Sequence, residues 1–182
     1  MNHVSIMHKR LMSKSLDVTF MHALLPVEGL QTHRIFYEPL KVVLPKNHPL
    51  VNRHAISLPE LRDDNFIMFP RQIAPAMYDL FLFECADKAK FQPNIIMEAD
   101  PQLTRIELVA NNMGVTFASA GMEKMCGDGV IFKNIVSTDL IHFPMDLAWN
   151  PQNTASHLQA FIEFTKSFII TREFIQQKQF VS

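Results

Sequence analysis

The sequence predicts an α/β protein with a mostly parallel sheet. Short apolar, β-branched runs at Leu40–Leu44, Phe66–Phe69, Asn94–Ala99 and Val115–Ala118 read as strands. Segments of helical periodicity, Ala74–Ala89 and Gln102–Asn112, fall between them at crossover spacing. The 182 residues are 48% hydrophobic and 19% charged, which suffices for a sizeable core and excludes a disordered chain.

The remaining elements follow in order. His3–Ser15 carries Val4, Ile6, Met7, Leu11 and Met12 as a helical stripe, and Leu16–Met21 reads as a short buried strand. A loop spans His22–Gly29, then Thr32–Glu38 forms a further strand before Leu40–Leu44. Pro45 and His48-Pro49 end that run, since proline removes a donor and disfavours a helical residue before it. Ser57-Leu58-Pro59-Glu60 has capping-box spacing and starts a short helix to about Arg62. Gly114 stands where a helix C-terminus favours a left-handed residue. Ser119 is placed to cap a short helix ending near Cys126, and Gly127 with Gly129 turns the chain into a strand at Val130–Phe132. Met145–Trp149 is a last strand. Thr154–Gln176 is the longest helix, with Leu158, Phe161, Ile162, Phe168 and Ile169 on one face.

Charge and motifs narrow the chemistry. Seventeen basic and 18 acidic residues leave a net charge of −1, so no field gathers phosphates, which argues against a nucleic-acid surface. Cys85 and Cys126 make no disulfide framework and suit a reducing cytoplasm. No apolar run has the length of a membrane span, and the first ten residues do not read as a signal peptide. None of the eight histidines forms a zinc-helix pair, and the glycine-rich phosphate motifs and GxSxG are absent. Cys85 falls mid-helix beside Phe81, Leu82 and Phe83 and reads as a buried, inert thiol. Asp63-Asp64 reads as solvated. No metal, cofactor or catalytic group is expected.

One loop has binding character. Phe69-Pro70-Arg71-Gln72 follows a predicted parallel strand and precedes a helix, and ligands of open α/β sheets sit beyond such strand ends. Arg71 would place a planar cation there, suited to a carboxylate. Spacing alone favours the alternative, a surface arginine paired with Asp79 or Glu98.

The order of segments resembles the effector-binding domain of LysR-type transcriptional regulators over almost the whole chain. The matching pieces are Leu11-x-Ser13-Lys14-Ser15-Leu16-Asp17-Val18-Thr19-Phe20, then Leu40–Pro45 with Asn47-His48-Pro49-Leu50. Ile56-x-Leu58-x-x-Leu61, Phe69-Pro70-Arg71, Tyr78-Asp79 with Cys85, Phe91-x-Pro93 and Glu98-Ala99 follow. The last are Leu108-Val109-Ala110 with Met113-Gly114-Val115, and Leu147-Ala148-Trp149.

The resemblance implies two Rossmann-like lobes like those of type 2 periplasmic binding proteins, with a small effector in the cleft. Residues 1–38 with 140–182 would form lobe I, lacking its first strand and helix, and residues 39–139 lobe II. Thr32–Leu44 would then cross into lobe II and Thr138–Pro144 return. No counterpart of the family's winged helix-turn-helix is present, so the chain reads as a truncated regulator. Ala118-Ser119 stands where the family commonly has a proline.

The implied effector contacts are Phe20, Met21, Pro70, Arg71, Gln72, Asp100, Thr104 and Ser119, on the loops Phe20–Ala23, Phe69–Ala74, Ala99–Thr104 and Ala118–Ala120. Arg71 would meet an anionic effector, a carboxylate, and Thr104 and Ser119 would add hydroxyls at helix N-termini or merely cap them. From the residues alone, Phe20 and Met68 read as core rather than ligand-facing. The expectation is a cytoplasmic, non-enzymatic, homo-oligomeric sensor with no direct contact to DNA or membrane. A periplasmic solute-binding protein on this fold would need a signal peptide. An enzyme would need a positioned acid, base or nucleophile.

Overall fold

Thr32–Glu38 and Leu40–Leu44 are one strand. In the computed structural model, which describes residues 3–22, 26–136 and 142–179, β2 runs unbroken over Gln31–Pro45. Pro39 falls just before the pairing with β6 and β7, whose registers start at Leu40 and Lys41, so neither of those strands asks an N–H of residue 39. The expectations for Ala23 and the rest of 23–25, for 137–141 at the start of Thr138–Pro144, and for the Ile169 side chain lie outside the described residues.

The chain divides into two compact units: Tyr37–Phe143 with Met1–His3, and Val4–Phe36 with Pro144–Ser182. In the larger unit, β2 pairs antiparallel with β6 (Thr116–Ser119) and with β7 (Val130–Val136), and β3 (Ala55–Ser57) joins β7 in parallel. Strand β4 (Asn65–Met68) runs parallel to β5 (Asn94–Glu98) and bridges in parallel to Val115 at the start of β6. The sheet is therefore mixed where a mostly parallel one is expected, because the long β2 pairs antiparallel with both β6 and β7. Packed against these strands are α2 (Pro75–Phe83) and α3 (Gln102–Ala110). Val43, Ile67, Ile106, Val109, Ala118, Val130 and Phe132 form one core cluster.

Local sequence explains several boundaries. The Glu60 carboxylate accepts both the N–H and the hydroxyl of Ser57 at 2.9 Å, which opens a 3-10 turn over Leu58–Leu61. After Phe83 the α2 coil widens into a π-turn over Glu84–Lys88, closed by Ala89 N–H to Glu84 carbonyl at 2.9 Å. The wider turn leaves Phe83 exposed and buries Glu84 and Cys85. Glu84 keeps its charge compensated through Lys88 Nζ at 2.8 Å.

In the smaller unit, α1 (His3–Met12) precedes β1 (Val18–Met21), which pairs antiparallel with β8 (His142–Trp149) from Val18↔Trp149 to Met21↔Asp146. The last helix, α4 (Ser156–Gln179), inserts Leu158 and Ile162 against Ile35, Leu147 and Trp149. Phe161 and Phe168, expected on that face, instead lie exposed, since among the described side chains of this helix the i, i+4 pair at 158 and 162 is the buried one. Buried asparagines tie the unit's ends together: Asn150 donates to the Leu11 carbonyl at 3.4 Å and Asn153 to Asp17 at 2.8 Å.

Arg34 pairs with the buried Asp146, whose side chain is 5% exposed against 39% for the arginine. The asymmetry has an expected consequence. Arg34→Met strands a buried carboxylate and should cost about 2–3 kcal/mol, whereas Asp146→Asn leaves a guanidinium that water can reach and should cost about 1 kcal/mol. Urea unfolding of both variants checks this; equal losses contradict it.

Candidate functional site

The carboxyl ends of β5, β4 and β6 stand side by side, because all three run the same way. Backbone bonds lock the alignment: Val115 N–H to Asn65 carbonyl at 2.8 Å, Ile67 N–H to Val115 carbonyl at 2.9 Å, and Ala99 N–H to Met68 carbonyl at 2.8 Å. The Thr116 hydroxyl adds a buried bond to the Ile67 carbonyl at 2.6 Å. The segments leaving this edge are those the sequence singles out: Phe69–Gln72, Ala99–Thr104 and Ser119.

Several of their residues are joined directly. Ser119 N–H donates to Gln102 Oε1 at 3.0 Å, linking the end of β6 to the start of α3. Ser119 occupies the cap position of the following 3-10 turn, yet its hydroxyl makes no capping bond there. Asp100 reaches within 3.9 Å of Arg105 Nη1, and that same nitrogen donates to the Ala99 carbonyl at 3.0 Å. Arg105 also lies over the Phe69 ring, 5.7 Å from its centroid. Phe69 in turn stands perpendicular to Tyr78, their ring centroids 5.9 Å apart. Burial, followed by a hydrogen bond to Glu98, raises the Tyr78 phenol above its ordinary range.

Arg71 points its fork elsewhere. Its Nε and Nη2 donate to the two Asp79 oxygens at 2.7 and 2.8 Å, and its side chain is 60% exposed. That bond raises the Arg71 pKa and lowers that of Asp79. Of the two partners the sequence leaves open, Asp79 is the one found. Pro70 opens a turn by accepting Ile73 N–H at 2.9 Å, and Gln72 is exposed. Thr104 is exposed on the first turn of α3, its N–H bonded to the Pro101 carbonyl at 3.0 Å.

The other unit holds the two remaining candidates. Phe20 is half-exposed near the end of β1, while Met21 is buried among Leu11 and Ala148. Its thioether fills the core there.

Arg105 and Gln102 are the residues that sequence reasoning misses. The signal was present: in α3, Arg105 shares the buried face with Ile106 and Val109, and a cation on such a face asks for a reason. Cys85 is buried, and desolvation with the neighbouring Glu84 pushes its thiol up to about 12. Among the described residues, no group of three or more His, Cys, Asp or Glu side chains is arranged to hold a metal ion. No described helix is long and apolar enough to cross a membrane.

Comparison with known proteins decides the family. Residues 3–168 match the family described as the LysR substrate binding domain. The chain belongs to that family. Among curated relatives of this LysR-family chain is the HTH-type transcriptional regulator AlsR of Bacillus subtilis, 28% identical over 127 residues, covering 70% of the chain and 42% of AlsR. The LysR-family chain thus spans less than half the length of that relative.

Two solved structures share the fold. The effector-binding domain of BenM with its effector benzoate has a TM-score of 0.79 at 17% identity, covering 96% of this chain and 78% of that one. The effector-binding domain of QuiR in complex with shikimate also gives 0.79, at 18% identity, covering 94% and 79%. The fold is thus the mixed α/β, type 2 periplasmic-binding-protein-like fold of LysR effector-binding domains.

Proposed function

We propose that this LysR substrate-binding domain is the non-enzymatic, cytoplasmic sensor of a DNA-binding regulator, and that it binds a small carboxylate at the edge formed by Phe69–Gln72, Ala99–Thr104 and Ser119. The family match over residues 3–168 carries the sensing role. The carboxylate rests on chemistry at that edge, where the start of α3 and an arginine favour negative charge. Benzoate and shikimate, found with the BenM and QuiR domains, are carboxylates and fit the same reading. Pro70, Gln72, Thr104 and Ser119 supply shape and hydrogen bonds. The sensor works as a homo-oligomer, and DNA contact belongs to a part of the regulator other than these residues.

A thermal-shift screen tests the reading. The panel is acetate, benzoate, succinate and shikimate, each beside its primary amide. A carboxylate at 100 times its Kd adds about 2.7 kcal/mol of apparent stability. For a chain of this size that raises the midpoint by roughly 5–10 °C. A panel in which no acid raises the midpoint above its amide contradicts the proposal.

A further inference from the structure

The larger unit buries one cation at its strand edge without completing its bonding. Arg105 is 5% exposed at its side chain, carried on the fourth residue of α3. Its Nη1 has the Ala99 carbonyl at 3.0 Å, but its buried Nε has no hydrogen-bond partner. Asp100, at 3.9 Å, is beyond hydrogen-bond reach and is itself 52% exposed. The face of Phe69 covers the guanidinium plane at 5.7 Å. Burial presses this guanidinium below its ordinary pKa, with Asp100 opposing the shift, yet arginine stays charged in proteins. A buried cation with an idle donor and a carboxylate standing off is costly unless an anion completes it.

Resting on the sensor reading above, we infer that Arg105 is the anchor for the effector's anionic group, and that Asp100 is the internal counter-ion which that group displaces. The displacement is cheap on the Asp100 side, because a half-exposed carboxylate turns into water with little loss. It is favourable on the Arg105 side, because a planar carboxylate matches the guanidinium fork at hydrogen-bond distance, which Asp100 does not reach. Arg71 cannot serve the same role as well: its fork is already filled by Asp79 on both nitrogens.

Calorimetry on the whole chain with the acid and amide pairs of the panel tests this. Arg105→Met should weaken acid binding about 10- to 100-fold and abolish the preference for acid over amide. Arg105→Lys should keep the preference with weaker binding, and it decides the matter if the methionine variant fails to fold. Asp100→Asn should tighten acid binding several-fold. Unchanged acid affinity in Arg105→Met, or in Arg105→Lys where that variant decides, overturns the inference while leaving the sensor reading intact. Wild-type protein that binds no acid of the panel overturns both.

Discussion

Replacing Gly114 by alanine should destabilise the chain by about 3–5 kcal/mol, a fall of roughly 10 °C in the midpoint. The glycine has φ +154°, and a Cβ there would sit 2.4 Å from the Asn65 carbonyl oxygen and 3.0 Å from its carbon. Both atoms are backbone, so no side chain can yield. The next residue supplies the second cost. Val115 N–H bonds that same Asn65 oxygen at 2.8 Å, so relieving the clash breaks a bond that fixes β6 against β4. Strain of about 1–3 kcal/mol and a stranded buried polar group of about 1–3 kcal/mol together come to about 2–6 kcal/mol, which brackets the stated range. Gly127 is the control. No atom lies within 4 Å of its added Cβ, and Gly127→Ala should stay within about 0.5 kcal/mol of the parent. Differential scanning of the two variants checks the pair, and similar midpoints for both would refute the close-approach explanation.

Gly114 also shows where sequence reading stops. Its position after α3 predicts a left-handed cap, yet that conformation falls to Asn112, at φ 60°, two residues earlier. The constraint on Gly114 comes instead from Asn65, 49 positions away in the chain, and no local pattern encodes it. Short-range features were legible for the opposite reason. The Ser57–Glu60 cap, the strand at Asn65–Met68 and the stripe through Leu11 each follow from neighbours within a few residues.

The candidate edge divides the same way. That Phe69–Gln72 leaves a parallel strand beside a helix start follows from periodicity and strand order. What each side chain does at that edge does not, because the partners are non-local. Ser119 reads as a cap in sequence, but its N–H is taken by Gln102, which arrives from α3. Arg71 is the exception: its partner is only eight residues on, in the first turns of α2, and the sequence already offers Asp79. Arg105 is signalled in sequence only by sharing a helix face with Ile106 and Val109, and its contacts with Ala99 and Phe69 come from the fold.

The second large effect is expected at Phe66. Its ring is fully buried and lies 5.4 Å from Phe81, 6.1 Å from Phe117 and 6.3 Å from Phe91, so four aromatic side chains share one site beneath the strand edge. Phe66→Ala removes the member that touches all the others and should cost about 3–5 kcal/mol, as buried Phe-to-Ala changes do. Collapse cannot recover much of it, because β4 is pinned on both flanks by pairing with β5 and by the bridge to Val115. Phe83→Ala is the matched control: its ring is exposed, so the loss should be within about 0.5 kcal/mol. The functional consequence follows from position. Phe66 lies three residues before Phe69, whose ring covers Arg105, so a cavity under β4 loosens the segment that shapes the proposed anion anchor. Phe66→Leu, which keeps most of the volume, should lose less stability and retain the carboxylate-induced rise in midpoint. If Phe66→Ala and Phe83→Ala melt together, the aromatic cluster does not hold this edge.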